Sequence, residues 1–230
     1  MILCYLSGII CKMEKNIITQ LHKKTSRKYI ERMIGDKVNC MKIAKKYDFD
    51  FWDGDRKYGY GGYKYDGRYE VVAKTLIEEY SLKKDAKILD VGCGKGFLLY
   101  EFKKLLPDSE IRGFDISRYA VENSKEEIRS GLFIHDAKDN YPFKDKEFDL
   151  VFSITTLHNL KIFDLKNALK EIERVGENKY IVVESYRNEQ ELFNLECWAL
   201  TCQSFFSKDE WEWLFNEFKY SGDYEFIYFE

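Results

Sequence analysis

Apolar positions along the chain follow two rhythms that take turns. Compact apolar runs occur at AKILDV (86–91), IRGFDI (111–116), LFIHDA (132–137), FDLVFSI (148–154), KYIVVES (179–185) and DYEFIYFE (223–230). Their length and their β-branched and aromatic content predict strands, and runs without strict alternation predict strands covered on both faces. Between them lie segments with apolar residues three and four apart: 69–82, 97–106 closed by Pro107, 118–130, 164–175 and 208–220. That spacing predicts helices. Strands separated by helices of this length predict βαβ units, hence an α/β fold with a mostly parallel, Rossmann-like central sheet covered on both faces. Ahead of them, Ile17, Ile18, Leu21, Tyr29, Ile30 and Met33 recur at helical intervals in a basic, polar stretch, predicting one or two amphipathic helices. The chain therefore divides into an N-terminal helical segment and cap over 1–68 and a cofactor-binding domain over 69–230.

Composition narrows the class. At 230 residues, 45% hydrophobic and 33% charged, the chain is globular and long enough for one sizeable core. With 37 basic and 40 acidic residues, the net charge of -3 gives no global field for a polyanion, so no nucleic-acid partner is expected. Cys4, Cys11, Cys40, Cys93, Cys197 and Cys202 form no CxxC pair, so no metal site is expected and the thiols read as those of a reduced, cytoplasmic protein. Met1–Cys11 is apolar but too short to span a bilayer and lacks a basic leader region. No membrane partner is expected, and Met13 is an alternative start.

The turn in ILDVGCGKG (88–96) carries the first chemistry. Gly92, Gly94 and Gly96 lie between a strand and a helix, at the sheet edge where ligands bind. Glycine there permits positive φ and close backbone approach. A dinucleotide fingerprint would place its third glycine at Phe97, one residue later than Gly96. Asp90, just before the glycines, would repel a diphosphate and attract an ammonium group. Spacing and acid together favour S-adenosylmethionine over NAD.

Here the chain resembles the class I S-adenosylmethionine-dependent methyltransferases, whose D/E-x-G-x-G-x-G motif matches Asp90, Gly92, Gly94 and Gly96. The resemblance covers about residues 85–185. It implies that the acid and glycine backbone hold the methionyl end, that Asp115 in GFDIS binds the ribose hydroxyls, and that Asp136 in IHDA lies by the adenine. The neighbours Cys93, Ile116 and Ala137 complete the expected cofactor-binding set, Cys93 chiefly as a residue that fits the turn.

Methyl transfer from a sulfonium is an in-line displacement, so the protein must align the two reactants and exclude water, a base being optional. For a hydroxyl acceptor, His158 in SITTLHNL is the candidate catalytic base, with packing or capping as its alternative. His135 reads as structural and His22 as exposed. Glu184, Tyr186 and Arg187 close the fifth strand on the same edge. Glu184 would orient His158, bind a hydroxyl or cap the next helix. Trp198 and Phe205–Phe206 read as core. The N/D-P-P-Y/F signature with which similar enzymes methylate nitrogen is absent, which points to O-methylation.

One stretch fits neither rhythm: DGDRKYGYGGYKYDGRY (53–69), with five glycines and five tyrosines. Nucleic-acid tracts of this kind repeat, and linkers favour serine over tyrosine. It reads instead as a structured cap over the pocket, with Arg56, Tyr60, Tyr63 and Arg68 facing the acceptor. The stretch is similar to one in class I methyltransferases encoded among bacterial capsule and lipopolysaccharide genes, which implies a surface-polysaccharide context. Arginine forks match phosphate oxygens. The expected partner is thus a small, anionic acceptor: a phosphorylated or nucleotide-linked sugar, or a phosphoramidate. Pairing of Arg56 and Arg68 with Asp53, Asp55 or Asp66 is the competing account. A protein or RNA methyltransferase, or a non-catalytic S-adenosylmethionine-binding protein, stays open as the alternative function. The class I sheet usually ends in an antiparallel hairpin, yet only DYEFIYFE follows Tyr220, so either KYSG forms a stub strand or the edge is incomplete. An open edge would permit a homodimer in place of a monomer.

Overall fold

The computed structural model describes residues 12–23 and 27–230. The apolar Met1–Cys11 stretch, and with it the expectation made for it, lies outside the described residues. The chain opens with α1 (Thr19–His22), α2 (Tyr29–Ile34), α3 (Lys37–Ala44), α4 (Phe49–Trp52) and α5 (Glu70–Glu79). There follow β1 (Lys87–Val91), α6 (Phe97–Leu105), β2 (Glu110–Asp115), α7 (Arg118–Glu122), α8 (Glu126–Arg129), β3 (Leu132–Ile134) and β4 (Phe148–Ile154). The remainder is α9 (Ile162–Val175), β5 (Gly176–Glu184), α10 (Glu189–Trp198), α11 (Lys208–Glu217) and β6 (Asp223–Ile227). All six strands run parallel in the order β3-β2-β1-β4-β5-β6, with helices on both faces. This is a Rossmann-like, doubly wound α/β sheet. Strand order reverses between β1 and β4, the switch point where such sheets bind ligands.

Side chains alternate between two apolar layers, as strand geometry requires. Ile88, Leu150, Phe152, Tyr180 and Val182 face α5 and α6, whereas Leu89, Val91, Val151, Ile181 and Val183 face α9 and α11. Where one helix was expected over 118–130, Ser117 caps α7 through the Ala120 N–H and extended backbone at Lys125 starts α8. Among the described residues of 14–46, three short helices, α1 to α3, form where one or two were expected.

The far edge departs from expectation in an instructive way. No antiparallel hairpin exists among the described residues: β6 pairs with β5 in parallel register. Its outer edge is partly covered by the chain's own N-terminal segment, since Lys15 N–H donates to the Tyr224 carbonyl and Tyr224 N–H to the Met13 carbonyl. Glu225, 1% exposed, fastens that segment by accepting from the backbone N–H groups of Ile17, Ile18 and Thr19 and from the Tyr180 hydroxyl. The edge strand thus offers fewer free groups for self-pairing than the sequence suggested.

Candidate active site

β1 ends at Val91 and the chain turns through Gly92, Gly94 and Gly96, all at positive φ, before α6 begins. The Gly94 N–H donates to Asp115 Oδ2 at 2.8 Å and the Ser117 N–H to Asp115 Oδ1 at 2.8 Å, so the ends of β1 and β2 are bound together. A cavity of about 380 Å³ opens here, lined by Gly92, Cys93, Gly94, Asp115, Ile116, Asp136 and Ala137. Burial, held back by those two N–H donors, pushes the Asp115 carboxyl up to about 6. Ile116 presents an apolar side chain, 52% exposed, at the rim. Asp136 is engaged by Lys138 at 2.6 Å and accepts from its backbone N–H, so it is partly occupied by its own loop.

Two motif residues stand behind that lining. A Cβ on Gly96 would come within 2.6 Å of Ile128 Cδ1, so this glycine serves the packing of the turn on α8 and not the cavity wall as expected. Asp90 is only 5% exposed, yet no donor from the described residues reaches its carboxylate. Burial and the neighbouring Asp115 charge hold its pKa well above the usual carboxylate range. A buried carboxyl without a donor is costly and calls for one from outside the chain. An α-ammonium group answers that need, and the carboxylate at the β2 end suits a ribose diol. A diphosphate answers neither.

The tyrosine-rich stretch is an ordered cap. Trp52 donates from Nε1 to Ser117 Oγ at 2.8 Å, its ring stacks on Tyr60 (centroids 5.2 Å, interplanar 5°), and Tyr63 stacks on Phe97 at 5.0 Å. Lys95, in the glycine turn and 5% exposed, pairs with Asp53 at 2.6 Å, and Tyr119 donates to the same carboxylate. Below the cap lies a second cavity of about 400 Å³. The two cavities share one wall: Phe51, Tyr60, Tyr63 and Tyr69 from the cap, and Ile154, Thr155 and Asn159 from the end of β4 and the turn beyond it. Thr155 holds φ at 55°, a strained conformation for a β-branched residue, at the place where the two spaces meet. Nothing in the sequence flagged it beyond its place after a strand.

His158 and Glu184 both line the second cavity. His158 is 3% exposed, and its Nδ1 accepts from the Glu184 backbone N–H at 3.3 Å. In that tautomer the proton sits on Nε2, which faces Glu184 Oε2 at 3.4 Å. Burial pushes the imidazole down to about 3 and the Glu184 carboxyl up to about 7, the latter eased by Arg27 and Arg32. With both ring nitrogens engaged, His158 has no lone pair to offer a substrate, which removes the physical basis for the base expected there. Glu184 does not cap the next helix, a place taken by Asn188.

The remaining expected acceptor residues divide. Arg56, Tyr60 and Tyr63 line the second cavity, and Arg56 pairs with none of the cap aspartates: it donates to the Gly59 carbonyl at 2.6 Å and lies over Trp198. Arg68 is at the cavity rim but is taken up by Asp66 through Nε at 2.8 Å. Arg187 points away, paired with Glu191 and with Glu230 at 2.8 Å, and Tyr186 lines neither cavity. Both fail because the chain leaves the sheet edge after Glu184 toward α10. Cavity residues that were missed include Trp198, read as core; His22, read as exposed but pushed down to about 4 by burial and by Arg27; and Arg32 on α2. The basic 23–32 segment was the only signal for Arg32, and nothing local linked it to the pocket.

Residues 82–219 match the family model described as a methyltransferase domain. The chain belongs to that methyltransferase family. Among relatives, YrhH of Bacillus subtilis (strain 168) is 25% identical over 129 residues, 53% of this chain and 71% of that protein. A demethylmenaquinone methyltransferase of Staphylococcus aureus (strain JH9) is 32% identical over 112 residues, 47% of this chain and 46% of the relative. In fold, the methyltransferase is similar to the crystal structure of YcgJ from Bacillus subtilis, with a TM-score of 0.51 at 20% identity, covering 64% of this chain and 66% of that one. It is also similar to geranyl diphosphate C-methyltransferase from Streptomyces coelicolor A3(2), with a TM-score of 0.51 at 12% identity over 63% and 58% of the two chains. S-adenosylmethionine is the cofactor that the glycine-turn cavity of this methyltransferase fits. Among the described residues no cluster could hold a metal, and no helix is long and apolar enough to cross a membrane.

Proposed function

We propose that this chain is an S-adenosylmethionine-dependent methyltransferase acting on an oxygen of a small anionic acceptor held in the second cavity. A phosphorylated or nucleotide-linked sugar, or a phosphoramidate, has the chemistry to match, in the surface-polysaccharide context that the cap sequence implies. One observation carries the reading: the two cavities meet at a single wall, with the donorless Asp90 carboxyl behind one and Glu184 beside basic groups in the other.

Bound in the first cavity, the cofactor supplies an electrophilic methyl group. Asp90 and the Gly92–Gly94 backbone would hold its methionyl end, Asp115 its ribose, and Ile116 and Ala137 its base. The cap tyrosines close the shared wall against water, which is most of what an in-line displacement asks of the protein. Glu184 takes the proton of an acceptor hydroxyl, its raised pKa suiting it to do so near neutral pH. His158 holds that carboxylate in place through Nε2. For an acceptor oxygen that is already anionic, the Glu184 step falls away.

Release of S-adenosylhomocysteine from S-adenosylmethionine, screened over sugar phosphates and nucleotide sugars, tests the activity. Turnover with one such acceptor, reduced about 10²–10⁴-fold by Glu184→Gln, is the expected result. Cofactor binding without turnover on any of them, or turnover only on protein or RNA, would overturn the reading.

A further inference from the structure

In the second cavity, two guanidinium groups from distant parts of the chain converge on one indole. Arg32 Cζ, from α2, lies 4.3 Å from the Trp198 ring centroid, and Arg56 Cζ, from the cap, lies 5.1 Å away. Arg27 approaches the same ring at 5.6 Å. Several other arginines are matched with acids: Arg68 with Asp66, Arg174 with Glu171 and Asp145, Arg187 with Glu191 and Glu230. Arg32 and Arg56 differ. Neither has a carboxylate within 4 Å among the described residues, and their protein acceptors are single carbonyls, Arg56 O at 3.5 Å and Gly59 O at 2.6 Å. Arg32 Nε is buried with no acceptor among the described residues.

Like charges gathered in a half-buried space repel, and a ring face offsets this only by about 0.5–2 kcal/mol per cation. Burial and the proximity of Arg56 bring the Arg32 pKa down to about 10, which still leaves it charged at neutral pH. His22 and His158, which also line the cavity, are held neutral by burial. Among the described residues Glu184 is the one carboxylate in the lining, and it is itself only partly ionised. The cavity therefore holds at least two more positive charges than negative ones. Two guanidinium forks offer parallel N–H donors to more oxygens than a carboxylate has, whereas the three terminal oxygens and double charge of a phosphate monoester satisfy both.

We propose that Arg32 and Arg56, backed by the Trp198 indole, form a seat for the phosphate monoester group of the acceptor in the cavity that Glu184 also lines. This deepens the proposed function and rests on it for the word acceptor. The test does not need the acceptor. Binding of inorganic phosphate, glucose 1-phosphate and acetate is measured calorimetrically on the full chain saturated with S-adenosylhomocysteine, for the wild type, Arg32→Gln, Arg56→Gln, and Arg112→Gln as a control outside the cavity. Unchanged affinity for S-adenosylhomocysteine shows that each variant is folded, and Arg32→Lys and Arg56→Lys provide charge-conserving versions should the glutamines fail to fold. The expected result is phosphate and glucose 1-phosphate binding that weakens at least tenfold in each glutamine variant, less in the lysine variants, and not in the control. Phosphate binding that ignores both substitutions, its absence in the millimolar range, or acetate binding as tight as phosphate, each overturns the seat. If methyl transfer to some acceptor persists while phosphate fails to bind, the seat alone falls; failure to bind S-adenosylhomocysteine defeats the proposed function, and phosphate affinity measured without it still decides the seat.

Discussion

Asp90 gives the sharpest quantitative expectation. Its carboxyl is 5% exposed, has no donor among the described residues, and is held well above the usual carboxylate range by burial first and by the Asp115 charge second. Without ligand it therefore holds its proton to higher pH than an ordinary carboxyl does. An ammonium placed against it favours the anion, so cofactor binding must release that proton. The sign follows: affinity rises with pH and levels off only above the pKa of Asp90 in the empty protein. Below that point each pH unit weakens binding by up to tenfold, about 1.4 kcal/mol. Asp115, pushed up to about 6 by burial, adds a second and smaller dependence below pH 6, because ribose hydroxyls also favour its ionised form. Calorimetric titration with S-adenosylhomocysteine at pH 6, 7 and 8, in buffers of different ionisation enthalpy, reads both the affinity and the protons released. Proton release on binding is expected, and it shrinks as the pH rises. Asp90→Asn removes a charge-assisted hydrogen bond of about 1.5–3 kcal/mol, so binding weakens about 10–100-fold and the Asp90-linked pH slope disappears. A wild-type pH dependence and proton release no different from those of Asp90→Asn would refute the reasoning.

Asp53→Ala leaves the Lys95 ammonium buried with only the Tyr63 carbonyl, at 2.9 Å, as its partner. Such a loss costs about 3 kcal/mol, read as a fall of about 6–12 °C in Tm for a domain of this size; a Tm unchanged within error would remove this pair as the cap's anchor. Gly94→Ala sets a Cβ 2.7 Å from Trp52 Cη2 at a backbone φ of +53°, so the cap must shift. Weaker S-adenosylhomocysteine binding is expected, with a fluorescence change at Trp52 that wild-type-like spectra would contradict. Glu225→Ala deprives the Ile17, Ile18 and Thr19 N–H groups of their acceptor and frees the β6 edge. Hydrogen exchange should speed up over 13–19 and light scattering should report association at rising concentration; unchanged protection there would disprove the clasp.

Much of the fold was legible because parallel strands buried on both faces leave continuous apolar runs, and all six runs correspond to strands. The glycine turn was legible because its conformation demands glycine locally. What the sequence did not reveal depends on contacts between distant segments. The edge clasp needs Glu225 to meet residues more than 200 positions earlier. The Arg32–Arg56–Trp198 grouping joins three elements whose proximity no local pattern encodes. For His158, residue type suggested a base, but its role turns on which ring nitrogen accepts from Glu184 N–H, a geometric fact. The split of the helix expected over 118–130 turns on Ser117 and on extended backbone at Lys125, which helix periodicity outweighed in the one-dimensional pattern.

The central claim is that the two cavities are the donor and acceptor halves of one reaction site, joined at Tyr60, Tyr63 and Thr155. A crystal structure with S-adenosylhomocysteine tests it most directly. The account predicts the amino group against Asp90, the ribose on Asp115, and the sulfur directed through the shared wall toward Glu184. A ligand whose sulfur faces bulk solvent, or whose amino group lies away from Asp90, would contradict it.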